Sequence, residues 1–314
     1  MSAPPPPALA SERRWLLPAA FILLGVIWGS SFAWIKVVVE QIPPATLVAE
    51  RMTLGAVAML GLLLFTRPPR PTRGQVGHLA VMGAINAGIP IFLISWGEQF
   101  IDSGTAAVLN SLVPIFSLLI AGLIIRTETW SVLRVTGILV GFAGAVVLAS
   151  REFAFNPGPM ALAGALAVTL ASLSYAAGAS YGKYRIQSTD RYVVAGGTLV
   201  FAALYVWIMA LVTEGAPVFP ATTEAIVGLL WLGLLGSFFA YVLYFFLLTY
   251  LGATVSTMVT YIFPVVGVTL GVVVLGEVLD PAMLLGTGLV VVGIAIVGLR
   301  YDRVVSLATR AVRR

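Results

Sequence analysis

The sequence predicts an all-α membrane protein of ten transmembrane helices, arranged as two five-helix inverted repeats with both termini in the cytoplasm. Three observations lead to this prediction: the composition, the distribution of basic residues and an internal repeat. Of the 314 residues, 60% are hydrophobic and 10% are charged. Soluble domains carry about 25% charged residues, so this chain has too few polar side chains to cover a water-facing surface. At about 20 apolar residues per membrane span, its length allows about ten spans and no soluble domain.

Ten apolar runs are long enough to be membrane-spanning helices. They cover residues 17–39, 44–65, 76–96, 104–124, 131–149, 160–182, 192–213, 225–248, 253–275 and 281–299. The first run is too long for a signal peptide and carries Lys36 where a cleavage site would need small residues, so it is expected to be retained. The chain then divides into a disordered cytoplasmic tail at 1–16, a first repeat at 17–150, a second repeat at 151–300 and a basic cytoplasmic tail at 301–314.

The lysines and arginines fall almost entirely on one side of this arrangement. If both termini share a side with the second, fourth, sixth and eighth loops, that side holds 15 of the 18 basic residues. Arg151 alone falls in an opposite loop, and Lys36 and Arg51 lie inside spans. Because cytoplasmic loops carry the excess of Lys and Arg, both termini are predicted to be cytoplasmic. The net charge of +5 is thus explained by topology, and no nucleic-acid partner is expected.

Two stretches of sequence resemble each other at a separation of about half the chain. Thr105–Pro114 and Val255–Pro264 each end in a mid-span proline, and Glu128 and Glu277 follow at a separation of 149 residues. In both copies the glutamate is followed by glycines at matching spacings. With five spans in each copy, an odd number, the copies enter the membrane from opposite sides. Such an inverted repeat is typical of secondary transporters, whose substrate site lies between the halves near the membrane midplane.

Further motifs match those of a known family. The first span reads IWGSSFAWIK over Ile27–Lys36, Pro43 and Pro44 precede the second span, and Glu50 and Arg51 lie within it. Together with the repeated proline and glutamate, these motifs make the chain resemble the EamA-type branch of the drug/metabolite transporter superfamily. Within that branch it is most similar to bacterial exporters of aromatic and other amino acids, the YddG type.

The resemblance implies an exporter in the bacterial inner membrane. It also implies a central cavity lined by the third, fourth, eighth and ninth helices with the first and sixth, while the fifth and tenth lie at the periphery. The inverted repeat further implies transport by alternating access, because two inverted halves can exchange conformations. One departure from the family pattern is Arg126-Thr127 in place of the usual Leu-Gly before Glu128, so a shared role of Glu128 and Glu277 is not assumed.

Polar and aromatic side chains inside apolar spans are the candidate lining of a substrate cavity. They are Trp28, Ser31, Asn86, Trp96, Asn110, Ser111, Tyr175, Tyr181, Tyr241, Tyr244, Thr257, Thr260 and Tyr261. In the fourth and ninth spans the alternative is helix packing through small residues and interhelical hydrogen bonds. For Trp96, near the end of its span, the alternative is a tryptophan of the membrane interface. Pro114 and Pro264 each remove a backbone hydrogen bond near mid-span and are predicted kink or gating positions.

Three charged residues lie inside the spans: Lys36, Glu50 and Arg51. The connection between the first two spans is short, so these helices are expected to be antiparallel neighbours, with Lys36 at a depth from which it can reach Glu50. The sequence predicts an ion pair between them, because pairing lowers the cost of buried charges. The alternative is a role in proton coupling or in binding a substrate carboxylate.

The residue types present weigh against an enzyme. The chain has no cysteine and a single histidine, His78, so no catalytic residue, metal site or cofactor is predicted. A membrane-embedded lipid-modifying enzyme is the alternative from another class. Among transporters, a drug-cation exporter would need a mid-membrane acid, for which Glu50 is the candidate, and a nucleotide-sugar or sugar-phosphate transporter would need several basic groups in its cavity. The predicted partners are a small-molecule substrate and the lipid bilayer, and the chain is expected to be monomeric.

Overall fold

The computed structural model describes residues 15–126, 130–155, 158–187 and 189–311, which form helices and connecting turns and no strand. Within these ranges ten helices are long and apolar enough to cross a membrane, which confirms the predicted ten-helix, all-α class. They are α1 (Leu16–Val39), α2 (Pro44–Thr66), α3 (Arg73–Gly97), α4 (Ser103–Ile124), α5 (Val132–Phe155), α6 (Pro159–Arg185), α7 (Arg191–Thr213), α8 (Thr223–Leu247), α9 (Met258–Leu275) and α10 (Pro281–Gly298). Helical backbone continues beyond α8 to Thr257 and beyond α10 to Ala311.

Two helices extend beyond the spans that the sequence predicts. The prediction ends the fifth span at residue 149 and places Arg151 in a loop, but α5 continues to Phe155 and carries Arg151 in its last turns. The helix tolerates this charge because Arg151 forms ion pairs with Asp102 and Asp280 in two neighbouring connections. The loop predicted after residue 248 is replaced by helical backbone that runs to Thr257.

Several helices begin at residues whose chemistry favours a helix start. Thr72 and Gln75 form a reciprocal capping box at the start of α3, in which each side chain accepts a hydrogen bond from the backbone of the other. Asp190 caps the first N–H groups of α7, and Thr222 caps α8. α2 begins with Pro44, whose missing N–H costs nothing in the first turn. These residues fix the short connections between the spans.

The helices pack in pairs that two inverted repeats predict. α2 packs against α7, α4 against α9 and α5 against α10, so each of these helices contacts its counterpart in the other repeat. Likewise, α3 packs against α6 as α8 packs against α1. Counterparts are five helices apart along the chain, an odd number that reverses their direction in the membrane. The packing therefore has the symmetry expected of an inverted repeat.

Glycines bring α5 and α10 into close contact. A Cβ atom placed on Gly144 would lie 2.6 Å from the carbonyl oxygen of Gly286, and one on Gly293 would lie 2.5 Å from the backbone nitrogen of Gly141. Only residues without a side chain fit such an approach of two backbones. The two helices therefore form a tightly packed pair.

α3 and α8, which are counterparts in the two repeats, both contain a π-helical segment. The segments cover Ala84–Gly88 and Trp231–Phe239. A π-helical turn leaves backbone groups in positions that a regular α-helix does not offer, and it is frequent at functional sites. Both segments contribute to the central cavity, through Asn86 and Gly236.

The backbone departs from a regular α-helix at equivalent positions of α4 and α9. A turn at residues 111–112 divides α4, and α9 begins with a 3-10 segment at residues 258–262. Pro114 and Pro264 therefore lie in the first turn of a helical segment, where proline removes no hydrogen bond. Each predicted kink is thus a break between two segments, and the gating role of the prolines stays a prediction.

Candidate functional site

A cavity of about 490 Å³ lies between the helices of the two repeats. Cavities of roughly 300–1,000 Å³ are typical of small-molecule sites. Residues from α1, α2, α3, α4, α6, α7, α8 and α9 form its wall. In the described part of the chain α5 and α10 contribute no wall residue, as the resemblance implies, whereas α2 and α7 are additions to the six helices that it implies.

Eight of the thirteen predicted lining residues lie on the cavity wall. They are Trp28, Ser31, Asn86, Asn110, Tyr175, Tyr241, Tyr244 and Thr260. Arg51, one of the three intramembrane charges, lies there as well. The side chain of Thr257 lies outside the described residues. Contact of any of these residues with a substrate stays a prediction.

Ser111 and Tyr261 are counterparts in the two repeats, and both lie off the wall. Ser111 Oγ donates a hydrogen bond to the carbonyl of Val108, within α4, at 2.6 Å. The Tyr261 hydroxyl donates to the carbonyl of Ile294 in α10 at 3.4 Å. Among the described polar residues of α4 and α9, those that reach the cavity are the neighbours that precede Ser111 and Tyr261, namely Asn110 and Thr260.

Trp96 and Tyr181 also lie away from the wall. Trp96 packs edge-on against Phe100, with 5.0 Å between the ring centroids, near the end of α3. This is a place typical of an interfacial tryptophan. The Tyr181 hydroxyl is hydrogen-bonded to Nδ1 of His78 at 2.7 Å and joins α6 to α3. Both rings make contacts within the bundle rather than in the cavity.

Aromatic side chains gather around Trp28 in α1. Its ring centroid lies 6.4 Å from that of Tyr241 and 5.6 Å from that of Tyr244, both in α8, and 6.4 Å from that of Phe263 in α9. The indole N–H donates to the carbonyl of Gly236 at 3.0 Å, within the π-helical segment of α8. This hydrogen bond fixes the indole, and the rings give the cavity a wall against which an apolar group can pack.

Arg51 of α2 brings a positive charge to the wall. The residue is 5% exposed, and its Nε donates to Ser237 Oγ at 3.0 Å. Ser237 in turn donates to the carbonyl of Leu232, in the π-helical segment of α8. No carboxylate forms an ion pair with Arg51 among the residues that the structure describes. The guanidinium therefore has N–H donors left for an anion in the cavity.

The cavity extends to one end of the bundle. There its wall includes Lys183, near the end of α6, and Arg191, at the start of α7. This end, where α2 and α6 finish and α3 and α7 begin, is named the basic end. Toward the opposite end the last wall residues of α1 and α3 are Ile35 and Ile94. The opposite end, where α2 and α4 begin and α1 and α3 finish, is closed by polar contacts and is named the sealed end.

Lys36 closes the sealed end by joining α1 to the connection between α3 and α4. Its Nζ donates to the carbonyl of Glu98 at 2.6 Å and to that of Ile101 at 2.9 Å. The predicted ion pair with Glu50 is wrong, since both carboxyl oxygens of Glu50 are buried without a hydrogen-bond partner in the described structure. The reason lies in the packing: α1 contacts α8 and α9 far more extensively than α2, its neighbour in sequence.

Two glutamates cap helices of the other repeat at the sealed end. Glu277, after α9, accepts hydrogen bonds from the first two N–H groups of α4 at 2.6 and 3.0 Å. Glu214, after α7, accepts from the first two N–H groups of α2 at 2.8 and 2.7 Å. Helix N-termini stabilise carboxylates in such positions. Glu128, the counterpart of Glu277 in the first repeat, lies outside the described residues.

Arg151 lies among three carboxylates at the sealed end. Its guanidinium contacts Asp102 at 2.8 Å, Glu152 at 2.6 Å and Asp280 at 2.5 Å, and it also donates to the carbonyl of Val278. Burial alone would raise the pKa of Asp280, but hydrogen bonds from backbone N–H groups of α10 and from Arg151 lower it below its usual value. The cluster joins the end of α5 to the connections before α4 and α10.

Sequence reasoning missed most of these sealed-end contacts. Glu98, Glu214 and Arg151 lie at or near helix ends, where charged residues are expected to be solvated. The one signal that could have identified them is the concentration of acidic residues on the side with few basic residues. Among the described residues, no group of three or more His, Cys, Asp or Glu side chains could hold a metal ion.

Ten apolar helices in two inverted copies, with a cavity between them that reaches one end, define a multi-pass membrane transporter of small molecules. The chain belongs to the EamA-like transporter family, whose sequence model matches residues 16–150 and again 162–299. Each match covers five of the ten helices. The family membership confirms the resemblance to the EamA-type branch that the sequence motifs indicate.

Relatives of similar length are named as transporters. The chain is 30% identical to YedA of Escherichia coli, named an uncharacterized inner membrane transporter, over 91% of this chain and 92% of the relative. It is 26% identical to YoaV of Bacillus subtilis, named an uncharacterized transporter, over 87% and 95%. It is also 26% identical to a probable terminal-alkyne amino-acid exporter of Streptantibioticus cattleyicolor, over 90% and 93%. The chain is a multi-pass protein of the bacterial inner membrane.

One solved crystal structure has the same fold. It matches with a TM-score of 0.65 at 20% sequence identity and covers 93% of this chain and 99% of its own.

Proposed function

We propose that this chain is a secondary transporter that exports amino acids, with aromatic and other neutral side chains preferred, by alternating access. The cavity binds its substrate while it is open at the basic end and releases it after the sealed end opens. The observation that carries the proposal is Arg51, a cation without a carboxylate partner among the described residues, on a wall that is otherwise largely aromatic and apolar.

An amino acid offers groups complementary to this wall. Its carboxylate can accept hydrogen bonds from the guanidinium of Arg51, and such charge-assisted bonds are about twice as strong as neutral ones. Its ammonium group can donate to the amide oxygens of Asn86 and Asn110, which lie on the same wall. An apolar or aromatic side chain can pack against Trp28 and Tyr241.

One relative adds support for this substrate class. The Streptantibioticus protein, at 26% identity, is named a probable amino-acid exporter. Its substrate shares the carboxylate and the ammonium group with every other amino acid. The pocket for the side chain is the part in which two such exporters would differ.

The charges of the wall also favour anionic metabolites such as sugar phosphates or nucleotide sugars, and these are the second candidate. In the described part of the chain every charged wall residue is basic: Arg51, Lys183 and Arg191. Basic residues of this kind bind phosphate groups. The same observation is unfavourable for drug cations, because Glu50, the acid that they would need, is buried away from this wall.

We also infer that both termini and the basic end are cytoplasmic, since that side holds 15 of the 18 basic residues. The cavity is then open to the cytoplasm, the side from which an exporter collects its substrate. A reporter fused after Arg314 tests the orientation. A reporter active only in the cytoplasm is expected to work there, and activity of a periplasmic reporter at that point would overturn both statements.

Transport by purified protein in liposomes tests the substrate. Exchange of labelled amino acids, a nucleotide sugar and a drug cation is measured for the wild type, for Arg51→Gln and for Arg73→Gln, which removes an exposed charge at the start of α3. We expect the wild type and Arg73→Gln to exchange aromatic and neutral amino acids. Arg51→Gln is expected to raise their KM by about tenfold to a hundredfold, the loss of one or two hydrogen bonds to a charged group. Preference for the nucleotide sugar or the cation over every amino acid would overturn the proposal.

A further inference from the structure

Glu98 is a fully buried acid at the sealed end, between the end of α3 and the start of α4. Its exposed fraction is 0%, and neither carboxyl oxygen has a hydrogen-bond partner among the described residues. A carboxylate in such a place would lose its hydration without compensation, so buried acids of this kind take up a proton and become neutral. Burial therefore raises the pKa of Glu98 well above its usual value in this conformation.

Charged groups from three other elements act on Glu98. Lys36 of α1 and Arg51 of α2 favour its anionic form, and Glu277, after α9, opposes it. α6 packs against the same turn through Gly164, which adds no charge. In the described structure neither cation pairs with the Glu98 carboxyl, because Lys36 donates to main-chain carbonyls and the Nε of Arg51 to a serine hydroxyl. The acid thus lies in the field of two cations but is not bound by either.

The position of Glu98 ties its proton to the seal. Its own main-chain carbonyl accepts the hydrogen bond from Lys36 at 2.6 Å. The contact that closes this end and the buried carboxyl therefore belong to one residue. If this end opens by loss of that contact, water can reach the carboxyl. A hydrated carboxyl beside a lysine loses its proton at neutral pH, because water and the opposite charge both stabilise the anion.

We propose that Glu98 is a proton-binding site that couples closure of the sealed end to the pH of the compartment that this end faces. Closing transfers one proton from water in that compartment to a Glu98 carboxylate oxygen, and opening returns the proton and leaves a hydrated carboxylate near Lys36. Acid then favours the closed seal, and alkali favours its opening. The proposal rests on the alternating access of the proposed function but on no particular substrate.

Glu50 offers a matched control. Its carboxyl oxygens are also buried without a partner in the described structure, yet none of the contacts that close the sealed end involves Glu50. Glu50→Gln therefore makes the same chemical change in a carboxyl that shares the burial of Glu98 but not its place in the seal.

Distances between spin labels across the sealed end test the proposal without a substrate. The natural chain has no cysteine, so Gln99→Cys and Phe219→Cys, both at exposed positions, carry the labels in full-length protein in lipid. With Glu98 intact, we expect the ratio of open to closed seal to change by up to about tenfold per pH unit, the limit for one proton. With Glu98→Gln the ratio is expected to be independent of pH and to favour the closed seal. With Glu50→Gln it is expected to follow the parent protein.

A second neutral variant, Glu98→Met, has no buried amide to satisfy and gives the answer if Glu98→Gln folds poorly. Three results would overturn the proposal. They are a ratio of open to closed seal that does not depend on pH with Glu98 intact, a pH dependence as steep as the parent's in either Glu98 variant, and loss of the pH dependence in Glu50→Gln. Failure of amino-acid transport with the pH response intact would instead overturn the proposed substrate alone.

Discussion

The two ends of the helix bundle are built differently. At the sealed end charged side chains bind backbone groups and one another: Lys36 binds two carbonyls, Glu214 and Glu277 bind helix N-termini, and Arg151 binds three carboxylates. At the basic end the wall of the cavity continues between α6 and α7 to the helix ends. Polar contacts, more than apolar packing, therefore distinguish the closed end from the open one.

Polar contacts suit an end that must open. Apolar surface that separates has to be exposed to water, whereas a lysine or glutamate that leaves a backbone group becomes hydrated in exchange. The open and closed states can therefore differ by only a few kcal/mol, as alternating access requires. Breaking the contacts of the sealed end one at a time ranks their contributions.

The largest effect is expected from Arg151→Met. The change leaves three carboxylates of the sealed end without their cation, and loss of one partner from a buried ion-pair cluster costs about 3–5 kcal/mol. Chemical unfolding in detergent measures the loss of free energy of unfolding. Arg70→Met removes an exposed charge at the basic end and is expected to change it by less than about 0.5 kcal/mol. Equal losses in the two variants would contradict the difference between the ends.

Lys36→Met is expected to open the sealed end rather than unfold the protein. Two carbonyls lose a charged donor, and such hydrogen bonds are worth about 1.5–3 kcal/mol each. A cysteine introduced as Ile94→Cys, at the sealed-end limit of the cavity wall, reports the change. We expect a water-soluble maleimide applied from the sealed side to react at least about tenfold faster in Lys36→Met, since about 1.4 kcal/mol is a factor of ten. An unchanged rate would show that Lys36 does not hold the seal.

A smaller effect is expected from Glu277→Gln. The amide keeps one acceptor oxygen but loses the negative charge at the N-terminus of α4, at a cost of about 1–2 kcal/mol. Thermal unfolding measures the shift. Glu224→Gln, at an exposed position in the first turn of α8, is the control. A shift in the control as large as that of Glu277→Gln would count against a specific cap.

The smallest effect is expected from acid. Because the pKa of Asp280 is lowered in the folded protein, its contribution to stability is present above the pKa of the unfolded chain and is lost as the pH falls through the folded-state pKa. The midpoint temperature of thermal unfolding should therefore decrease as the pH is lowered below about 4. The decrease should be less steep for Asp280→Asn. Identical pH profiles for the two proteins would contradict a role for this carboxylate in the sealed end.

The ten spans and the repeat could be predicted because composition and spacing are properties of the sequence itself. The cavity wall could be predicted only in part. Asn110 and Ser111 are adjacent polar residues, but the direction of each side chain depends on the turn that interrupts α4 and on the helices packed around it. The sequence also gave no sign of the π-helical segment that presents Gly236 to Trp28.

The sealed end could not be predicted because its contacts join distant parts of the chain. Glu277 caps a helix that begins 174 residues earlier, and Glu214 caps one whose first N–H group lies 169 residues earlier. The predicted pair of Lys36 and Glu50 assumed that helices adjacent in sequence face each other. Instead, α1 packs against α8 and α9, and α2 against α7, all of them helices of the second repeat.

The cavity between the repeats is open at the basic end, and we propose that it binds an amino acid there. Cysteines introduced as Asn110→Cys, on the wall, and Tyr261→Cys, off it, test this claim with a membrane-impermeant maleimide in inside-out and right-side-out vesicles. We expect Asn110→Cys to react in inside-out vesicles, a transported amino acid to slow that reaction, and Tyr261→Cys not to react. Equal reaction of Asn110→Cys from both sides, or no protection by any amino acid in protein that still transports it, would contradict a cavity that is open at the basic end and binds an amino acid.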